Sequence, residues 1–286
     1  MRRLLSVLAL VAALSADAQV TCVGADCQTP DDSFTTIDMV EDFISGGLTT
    51  LATGALGMSF TALSTGTGLG TTSVPALQGA FRFQSHVSND NSGVIIGIGS
   101  FNSFSTFSSQ TVWTSKDWSF DCVFQPGSNS TAATNVGMFF GLAAAFTTDP
   151  MAGVGSIGVR WDSDRSDTTF MFVTCDSSTT GCGSNGDDTN QAVVASTITP
   201  VAGTNYRMRI RRAAAGVGGN PTLYFRINDE AEKTFCAAGC DDVLTQAPAG
   251  TVALSPVYFY VTRTTTGVLT GDLDYLRVRI PGVVRY

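Results

Sequence analysis

Hydrophobic and polar positions alternate with a period of two in several short segments of this chain. In residues 206–211 the apolar side chains of Tyr206, Met208 and Ile210 are separated by arginines, and residues 276–280 repeat the alternation. Successive side chains of a strand point to opposite faces of a sheet, so this pattern predicts strands with one buried and one polar face. Half-buried antiparallel sheets have this signature.

Similar β-branched and aromatic runs recur at short intervals, and clusters of Gly, Asp, Asn and Ser separate them. This spacing is typical of an all-β sandwich of two antiparallel sheets or of a barrel. Residues 37–44 are the one segment that predicts a short helix. The predicted strands are residues 58–63, 80–85, 93–98, 118–124, 136–142, 157–161, 168–174, 192–198, 206–211, 223–227, 257–262 and 276–280.

The composition favours the same fold class. Only 14% of the 286 residues are charged and 43% are hydrophobic, whereas ordinary soluble domains carry roughly 25% charge. Glutamate and lysine, which favour helices, are almost missing: Glu41, Glu230, Glu232, Lys116 and Lys233 are the full set. Intrinsic disorder and a coiled coil are both excluded by these proportions.

The first eighteen residues have the pattern of a signal peptide. Arg2 and Arg3 precede an apolar stretch over residues 4–14, and residues 16–18 supply a small-x-small cleavage site. The apolar stretch is shorter than the roughly 20 residues that a membrane-spanning helix needs. We therefore expect a secreted, extracellular or cell-surface protein without membrane insertion.

Three domain segments are predicted: a signal peptide at 1–18, an N-terminal arm at 19–40 and one β-sandwich domain at 41–286. Six of the seven cysteines fall into close pairs, which fits the oxidising compartment that secretion implies. Local pairing is the simplest of several connectivities. Cys122 lies inside a predicted strand and is expected to be a buried free thiol. The candidate disulfides are Cys22/Cys27, Cys175/Cys182 and Cys236/Cys240.

Several segments taken together resemble a known family. They are residues 41–43, residues 79–86 with 92–94 following, residues 136–142, residues 158–162 with a hairpin into 170–172, residues 223–228 and residues 273–278. Their order is similar to that of concanavalin A-like lectin/glucanase jelly-roll domains, particularly those of phage tail and virion-surface proteins. The resemblance covers roughly residues 41–281. It implies two antiparallel sheets, with glycan recognition or structural display as the common roles, while the signal peptide and cysteine pairs favour a protein secreted by a cell.

Catalysis is not expected. Glycoside hydrolysis needs two carboxylates, and the Glu-x-Asp-x-Glu strand motif of this fold's glucanases is missing from the sequence. Glu230 and Glu232 are the nearest pair, and their polar surroundings predict a hairpin turn between residues 224–227 and 233–235. Residues 84–86, Gln-Ser-His, are similar to one alginate-lyase motif of the fold, but the partner motifs are missing. A polysaccharide-degrading enzyme is kept as a lesser alternative.

A metal site is the next candidate. Asp162, Asp164 and Asp167 cluster three carboxylates in one loop, and calcium prefers several oxygen ligands. The competing interpretation is a solvated hairpin turn, because the cluster lies between two predicted strands. Calcium is therefore a candidate cofactor, and no other cofactor is indicated.

The arginines are the most informative surface feature. If their strands lie side by side, an acidic protein with a pI near 4.5 carries a cationic patch. Arginine forks bind carboxylate and sulfate groups bidentately, which points to an acidic glycan as partner. The alternative is a solvent face whose arginines pair with nearby aspartates, and nucleic acid is excluded by the charge balance. The candidates are Arg207, Arg209, Arg277 and Arg279. Arg211 lies on the strand of the first two, and Arg226 of the predicted strand 223–227 is expected on the same side.

Tyr258 and Tyr260 are predicted to add aromatic platforms for sugars, because Val257, Phe259 and Val261 already supply the inward face of their strand. Asn129 begins an Asn-Ser-Thr glycosylation sequon in a predicted loop.

Two functions follow from these features. The first is a secreted, non-catalytic, lectin-like module that binds surface or matrix glycans. The second is a self-assembling structural subunit of an extracellular appendage, filament or virion-like particle, a homo-oligomer whose arm reaches a neighbouring copy and adds a strand to its sheet edge.

Overall fold

The computed structural model describes residues 37–41, 60–65, 74–75, 81–84, 93–98, 117–127, 136–143, 155–175, 191–217, 221–236, 242–243, 254–263 and 269–280. Within those ranges the chain is almost entirely β-strand, and every strand predicted from the sequence overlaps an observed one. The all-β prediction is therefore confirmed. No helix of the described residues has the length and apolar composition needed to cross a membrane.

The strands, numbered in chain order, form two sheets in the described part of the chain. The larger sheet has nine strands. They are antiparallel except at one edge of the sheet, where β13 and β14 are parallel. Its spatial order is β14 (Asp242–Val243), β13 (Lys233–Cys236), β12 (Thr222–Ile227), β11 (Tyr206–Ala213), β6 (Trp118–Pro126), β16 (Thr270–Ile280), β4 (Phe81–Gln84) and β3 (Val74–Pro75), and β1 (Ile37–Glu41) also pairs with β16.

The smaller sheet has seven antiparallel strands in the described residues. Its order is β10 (Gln191–Ala195), β9 (Met171–Cys175), β8 (Ser156–Asp162), β7 (Val136–Ala143), β15 (Ser255–Thr262), β5 (Gly93–Ile98) and β2 (Phe60–Thr65).

The two sheets pack face to face around one apolar core. The Phe120 ring of β6 lies 4.2 Å from the Phe140 ring of β7, measured between centroids. Phe172 of β9 and Phe225 of β12 make a second contact across the sandwich at 5.3 Å. Aromatic side chains bury large apolar areas and add directional ring contacts, so these pairs hold the sheets in register. The predicted two-sheet sandwich is confirmed.

Residues Ile37–Glu41 correct one prediction. They form β1, antiparallel to β16 with Ile37 opposite Ile280, and not the start of a helix. The short segment has weak helical preference, and ladder hydrogen bonds to a long central strand outweigh it. Most of β1 also lies within the predicted arm, so that part of the arm belongs to the chain's own sheet, in the compact unit Ile37–Val283.

Candidate functional site

Strand β11 presents arginines from one face and core residues from the other. Met208 and Ile210 are fully buried between the sheets, whereas Arg207 is exposed. The side chains of Arg209 and Arg211 are 36% and 38% exposed. The alternation that the sequence predicts is therefore present, and it places three guanidinium groups on the outer face of the nine-stranded sheet.

Strand β6 lies between β11 and β16 and connects the two arginine strands. Asp121 of β6 is the register partner of both Arg209 and Arg277, and Ser119 is the partner of both Arg211 and Arg279. Directly opposed residues in an antiparallel sheet share a face. The arginines of β11 and β16 therefore lie on the same face, separated by one strand, which is the juxtaposition on which the predicted cationic patch depends.

Strand β12 adds a further arginine to this face. Arg226 is the register partner of Arg209, and Tyr224 is the partner of Arg211. Both side chains are partly exposed, while Leu223 and Phe225 point into the core. We call the resulting surface the arginine face; it comprises Arg207, Arg209, Arg211, Arg226, Arg277 and Arg279.

The arginine face is larger than a single carboxylate or sulfate group. From β12 to β16 it crosses three strand spacings, about 14 Å, and from Arg207 to Arg211 it extends about 13 Å along the strand. Asp121 and Glu232 accept hydrogen bonds from Arg209 and Arg211, Asp38 of β1 is the register partner of Arg279, and Asp272 lies at one end opposite Gln125. The six arginines of the face outnumber these four carboxylates.

Arg211 is held in place by two neighbours. Its Nε and Nη2 donate to the two carboxylate oxygens of Glu232 at 2.9 and 2.6 Å, and its guanidinium carbon lies 3.6 Å from the centroid of the Tyr224 ring. The hydrogen bonds that Arg211 donates to Glu232 raise the pKa of Arg211. This arginine is therefore a fixed positive charge that is stacked on an aromatic ring.

Two arginines of the face have no such partner. Within the described part of the chain, neither Arg207 nor Arg226 forms an ion pair. Unpaired guanidinium forks on an exposed sheet are the groups that a carboxylate or sulfate ligand would engage at the least desolvation cost.

Tyr258 and Tyr260 are not on the surface, and their prediction as sugar platforms is wrong. Both are 1% exposed and lie between the sheets, where their rings contact Phe124. Val257 and Phe259 occupy the other face of β15, which is also buried. Since both faces of this strand are apolar and covered, the alternation did not reveal which one faces the core.

The carboxylates proposed for calcium form ion pairs instead. Arg263 donates to both oxygens of Asp162 at 3.1 and 2.8 Å, and Arg160 donates to both oxygens of Asp167 at 2.9 and 3.1 Å. Burial raises the pKa of Asp167, and the bonds from Arg160 oppose that shift. Asp164 lies largely in solvent, and no cluster of metal-binding side chains is found among the described residues. The loop is a 3-10 turn built on arginine–aspartate pairs.

Glu230 and Glu232 lie in the turn between β12 and β13, as predicted. Glu230 accepts hydrogen bonds from Ser196, Thr197 and the backbone of Ile227, so it anchors the turn. Glu232 is bonded to Arg211. Neither carboxylate is positioned as one of a free pair that flanks a substrate.

Cysteines and other candidates are described only in part. Cys122 is a buried free thiol, as predicted, and burial raises its pKa well above the ordinary value. Cys175 is disulfide-bonded, and its predicted pairing with Cys182 remains a prediction. The other candidate residues lie outside the described part of the chain: Cys22, Cys27, Cys182, the side chain of Cys236, Cys240, Asn129 and His86.

The outer face of the seven-stranded sheet contrasts with the arginine face. Phe139, Val173, Val257, Phe259 and Val261 point away from the main core there, yet all are buried and form a second apolar cluster. A ligand cannot reach these side chains. The nine-stranded sheet therefore offers the accessible, charged surface among the described strands.

Sequence reasoning missed Asp121, Tyr224 and Tyr275 as members of this surface. Tyr275 lies opposite Val123, beside the two arginines of β16. Asp121 and Tyr224 alternate with buried residues along their strands, so strand parity was the available signal for them. Tyr275 follows an irregularity between Leu273 and Tyr275 that interrupts the alternation. What parity does not provide is the register that brings the strands together.

The fold is shared with known carbohydrate-recognising proteins, although the sequence matches no family model and no curated protein. The carbohydrate recognition domain of Emp47p superposes with a TM-score of 0.51 at 9% identity, covering 92% of this chain and 100% of that chain. An endo-1,3-beta-glucanase from Streptomyces sioyaensis gives 0.52 at 11% identity, covering 91% and 100%. The CBM2 module of an evolved Dit from Lactobacillus casei BL23 phage J-1 gives 0.48 at 13%, covering 88% and 99%.

This chain therefore has the concanavalin A-like lectin/glucanase jelly-roll fold, as the sequence resemblance predicts. One similar structure is a carbohydrate recognition domain and another is a glucanase. The fold alone thus leaves the choice between binding and catalysis to the chemistry of the site.

Proposed function

We propose that this protein is a secreted, non-catalytic, lectin-like module that binds acidic glycans through its arginine face. One observation carries the proposal: three strands of the nine-stranded sheet, the adjacent β12 and β11 and, beyond β6, β16, direct six arginines to a single accessible face. A planar carboxylate and a tetrahedral sulfate each present a pair of oxygens that matches the guanidinium fork. Tyr224 and Tyr275 lie on the same face and offer apolar surface to the sugar rings.

The proposal excludes catalysis because the two glutamates nearest to the arginine face, Glu230 and Glu232, already accept hydrogen bonds from other residues of the protein. Glu230 accepts hydrogen bonds from four backbone or hydroxyl donors, and Glu232 accepts two from Arg211. General acid and base roles need carboxylates that face the scissile bond. Incubation of the protein with each polysaccharide it binds, followed by measurement of new reducing ends and unsaturated products, tests this part; release of either product contradicts it.

Binding is tested on an array of neutral, carboxylated and sulfated glycans. We expect retention of the acidic classes and loss of retention in the double variant Arg207→Ala/Arg226→Ala, which removes the two arginines without ion-pair partners. Lys233→Ala is the matched control, because Lys233 pairs with the core-facing Phe225 and so lies off the arginine face. Unchanged retention in the double variant, or equal loss in both, contradicts the proposal.

Secretion is supported by the signal-peptide pattern and by the disulfide at Cys175. Expression of the full chain in a secreting host, followed by N-terminal sequencing of protein from the medium, is expected to give Gln19 as the first residue. Retention of the intact chain inside the cell contradicts this assignment.

A further inference from the structure

We call the strip of the arginine face that follows β6, between the arginines of β11 and those of β16, the trough. Its floor is formed by the outward residues Ser119, Asp121 and Val123, all of which have short side chains. Arginines of β11 form one wall and arginines of β16 form the other, and Ser119 and Asp121 are each paired with one arginine of either wall. The two walls are two strand spacings apart, about 10 Å between backbones.

The lengths of these side chains decide where a ligand lies. An arginine side chain is longer than that of serine, aspartate or valine, so the walls rise above the floor at Ser119 and Val123. At the centre Arg209 reaches across to Asp121 and covers it, so a ligand there meets the guanidinium group and not the floor. That length is about 13 Å, which is longer than a single sugar ring. A ligand that touches arginines at both ends must therefore be a chain of several sugars.

The charges are also distributed along the trough and are not gathered at one point. The β11 wall has an arginine at each of three successive outward positions, and the β16 wall has arginines at two, followed by Tyr275. A ligand with one anionic group would satisfy one of these positions and leave the others solvated. A ligand with repeated anionic groups satisfies several, and the contacts then act together as a multivalent set.

From this geometry we infer that the ligand is a linear, polyanionic polysaccharide that lies along β6 between the two arginine walls. This inference rests on the proposed function and narrows it, because it gives the ligand its polymeric character, its repeated charge and its path across the protein. The oxyanion is carboxylate or sulfate, since both have the chemistry that the guanidinium fork recognises.

The path is tested by placing a bulky side chain in the floor. Ser119→Trp fills the trough, whereas Thr234→Trp adds the same bulk to the same sheet face on β13, beyond Tyr224 and outside both walls. With the purified full chain and a size-defined oligogalacturonate, we expect Ser119→Trp to weaken binding by roughly tenfold or more and Thr234→Trp to leave it within about twofold. No loss in Ser119→Trp, or equal losses in the two variants, overturns the path along β6.

The polymeric character is tested by calorimetric titration with galacturonate oligomers from one to eight sugars and with sulfated oligomers of matched length. Affinity is expected to rise with length in at least one series and to fall steeply with salt, because several ion pairs form at once. A monosaccharide that competes as well as an octamer overturns this inference and leaves glycan binding intact. The series with the higher affinity identifies the oxyanion.

Two controls separate the inference from the proposed function. Single-stranded DNA of matched charge is expected to bind at least tenfold more weakly than the oligosaccharide, and equal affinity overturns a polysaccharide ligand. A protein that binds neither acidic oligomers nor any glycan of the array contradicts the proposed function itself. Circular dichroism and thermal unfolding of each tryptophan variant show whether a loss of binding reflects loss of fold.

Discussion

The Nε of Arg209 donates to Oδ1 of Asp121, a carboxylate that is 3% exposed although it lies on the outward face of β6. The bond crosses from the wall of the trough to its floor and neutralises one of the six arginines of the face. Asp121 therefore sets the net charge that a ligand meets at the centre of the sheet.

Asp121→Asn is expected to strengthen binding of acidic oligosaccharides several-fold at low salt, because Arg209 becomes available and the face gains one net positive charge. The gain is expected to disappear at high salt, where exposed charges are screened. Since the Arg209 side chain is 36% exposed and can be solvated, the loss of folding free energy is expected to stay near about 1 kcal/mol. Calorimetric titration at two salt concentrations and chemical denaturation measure the two effects.

Glu232→Gln is the matched variant, because it releases Arg211 on the same face in the same manner. It is expected to change binding in the same direction as Asp121→Asn. Weaker binding in both variants would show that the carboxylates position the arginines for the ligand, and it would contradict the charge argument.

The arginine face could be predicted in part from the sequence, for a physical reason. Strand parity is a local property, so the alternation at Arg207, Arg209 and Arg211 is visible without the fold. The register that brings Arg277 opposite Asp121 depends on pairing between segments more than a hundred residues apart in the sequence. No local pattern encodes that pairing, and the sequence interpretation could state it only as a condition.

The sequence predictions that proved wrong also failed because a local pattern does not contain the tertiary contacts of a strand. Parity places Tyr258 and Tyr260 on one face of β15, but both faces are buried, so polarity does not tell which face meets the other sheet. The local pattern of residues 37–44 predicts a helix, because it carries no sign that residues 37–41 pair with β16 far along the chain. For Asp162, Asp164 and Asp167, the spacing gives a cluster of carboxylates but not the guanidinium groups of Arg263 and Arg160 that occupy two of them.

The buried pair between Arg263 and Asp162 is expected to contribute strongly to stability. The side chains are 6% and 2% exposed, and two hydrogen bonds join them. Arg263→Met leaves the Asp162 charge with the more distant Arg165, so we expect a loss of roughly 3–5 kcal/mol in the free energy of unfolding. Denaturation in urea measures this loss.

Two further variants make the prediction about this pair specific. The double variant Asp162→Asn/Arg263→Met is expected to lose less than the sum of the single losses, because no charge is left uncompensated. Arg211→Met is the exposed comparison and is expected to cost about 1 kcal/mol or less. Equal losses for Arg263→Met and Arg211→Met would contradict the role of burial.

Gly158 is expected to be intolerant of any side chain. A Cβ at this position would lie 2.5 Å from the Phe139 ring and 2.6 Å from the carbonyl oxygen of Phe140. Gly158→Ala must therefore displace a packed ring and a neighbouring strand, with an expected loss of roughly 1–3 kcal/mol or more. Thermal and chemical unfolding of the variant provide the measurement.

Gly203 supplies the comparison for this prediction. It has a φ of +75° and no atom within 4 Å of an added Cβ, so its substitution is limited by backbone strain alone. Gly203→Ala is expected to cost about 1 kcal/mol, and Gly203→Asn less, because asparagine tolerates the left-handed region better. If Gly203→Ala proves as costly as Gly158→Ala, the steric explanation at Gly158 is wrong.

Cys122 is expected to be unreactive in the folded protein. Its thiol is fully buried between the sheets, and desolvation followed by the charge of Asp121 raises its pKa well above the ordinary value. Only the thiolate is nucleophilic, so a raised pKa keeps the thiol protonated through neutral and mildly alkaline pH. Alkylation with iodoacetamide at pH 8, read by mass spectrometry, is expected to leave Cys122 unmodified in native buffer and to modify it completely in denaturant. If Cys122 is modified in native buffer as fast as in denaturant, β6 is accessible from solvent. That result would contradict the packing of the two sheets on this strand.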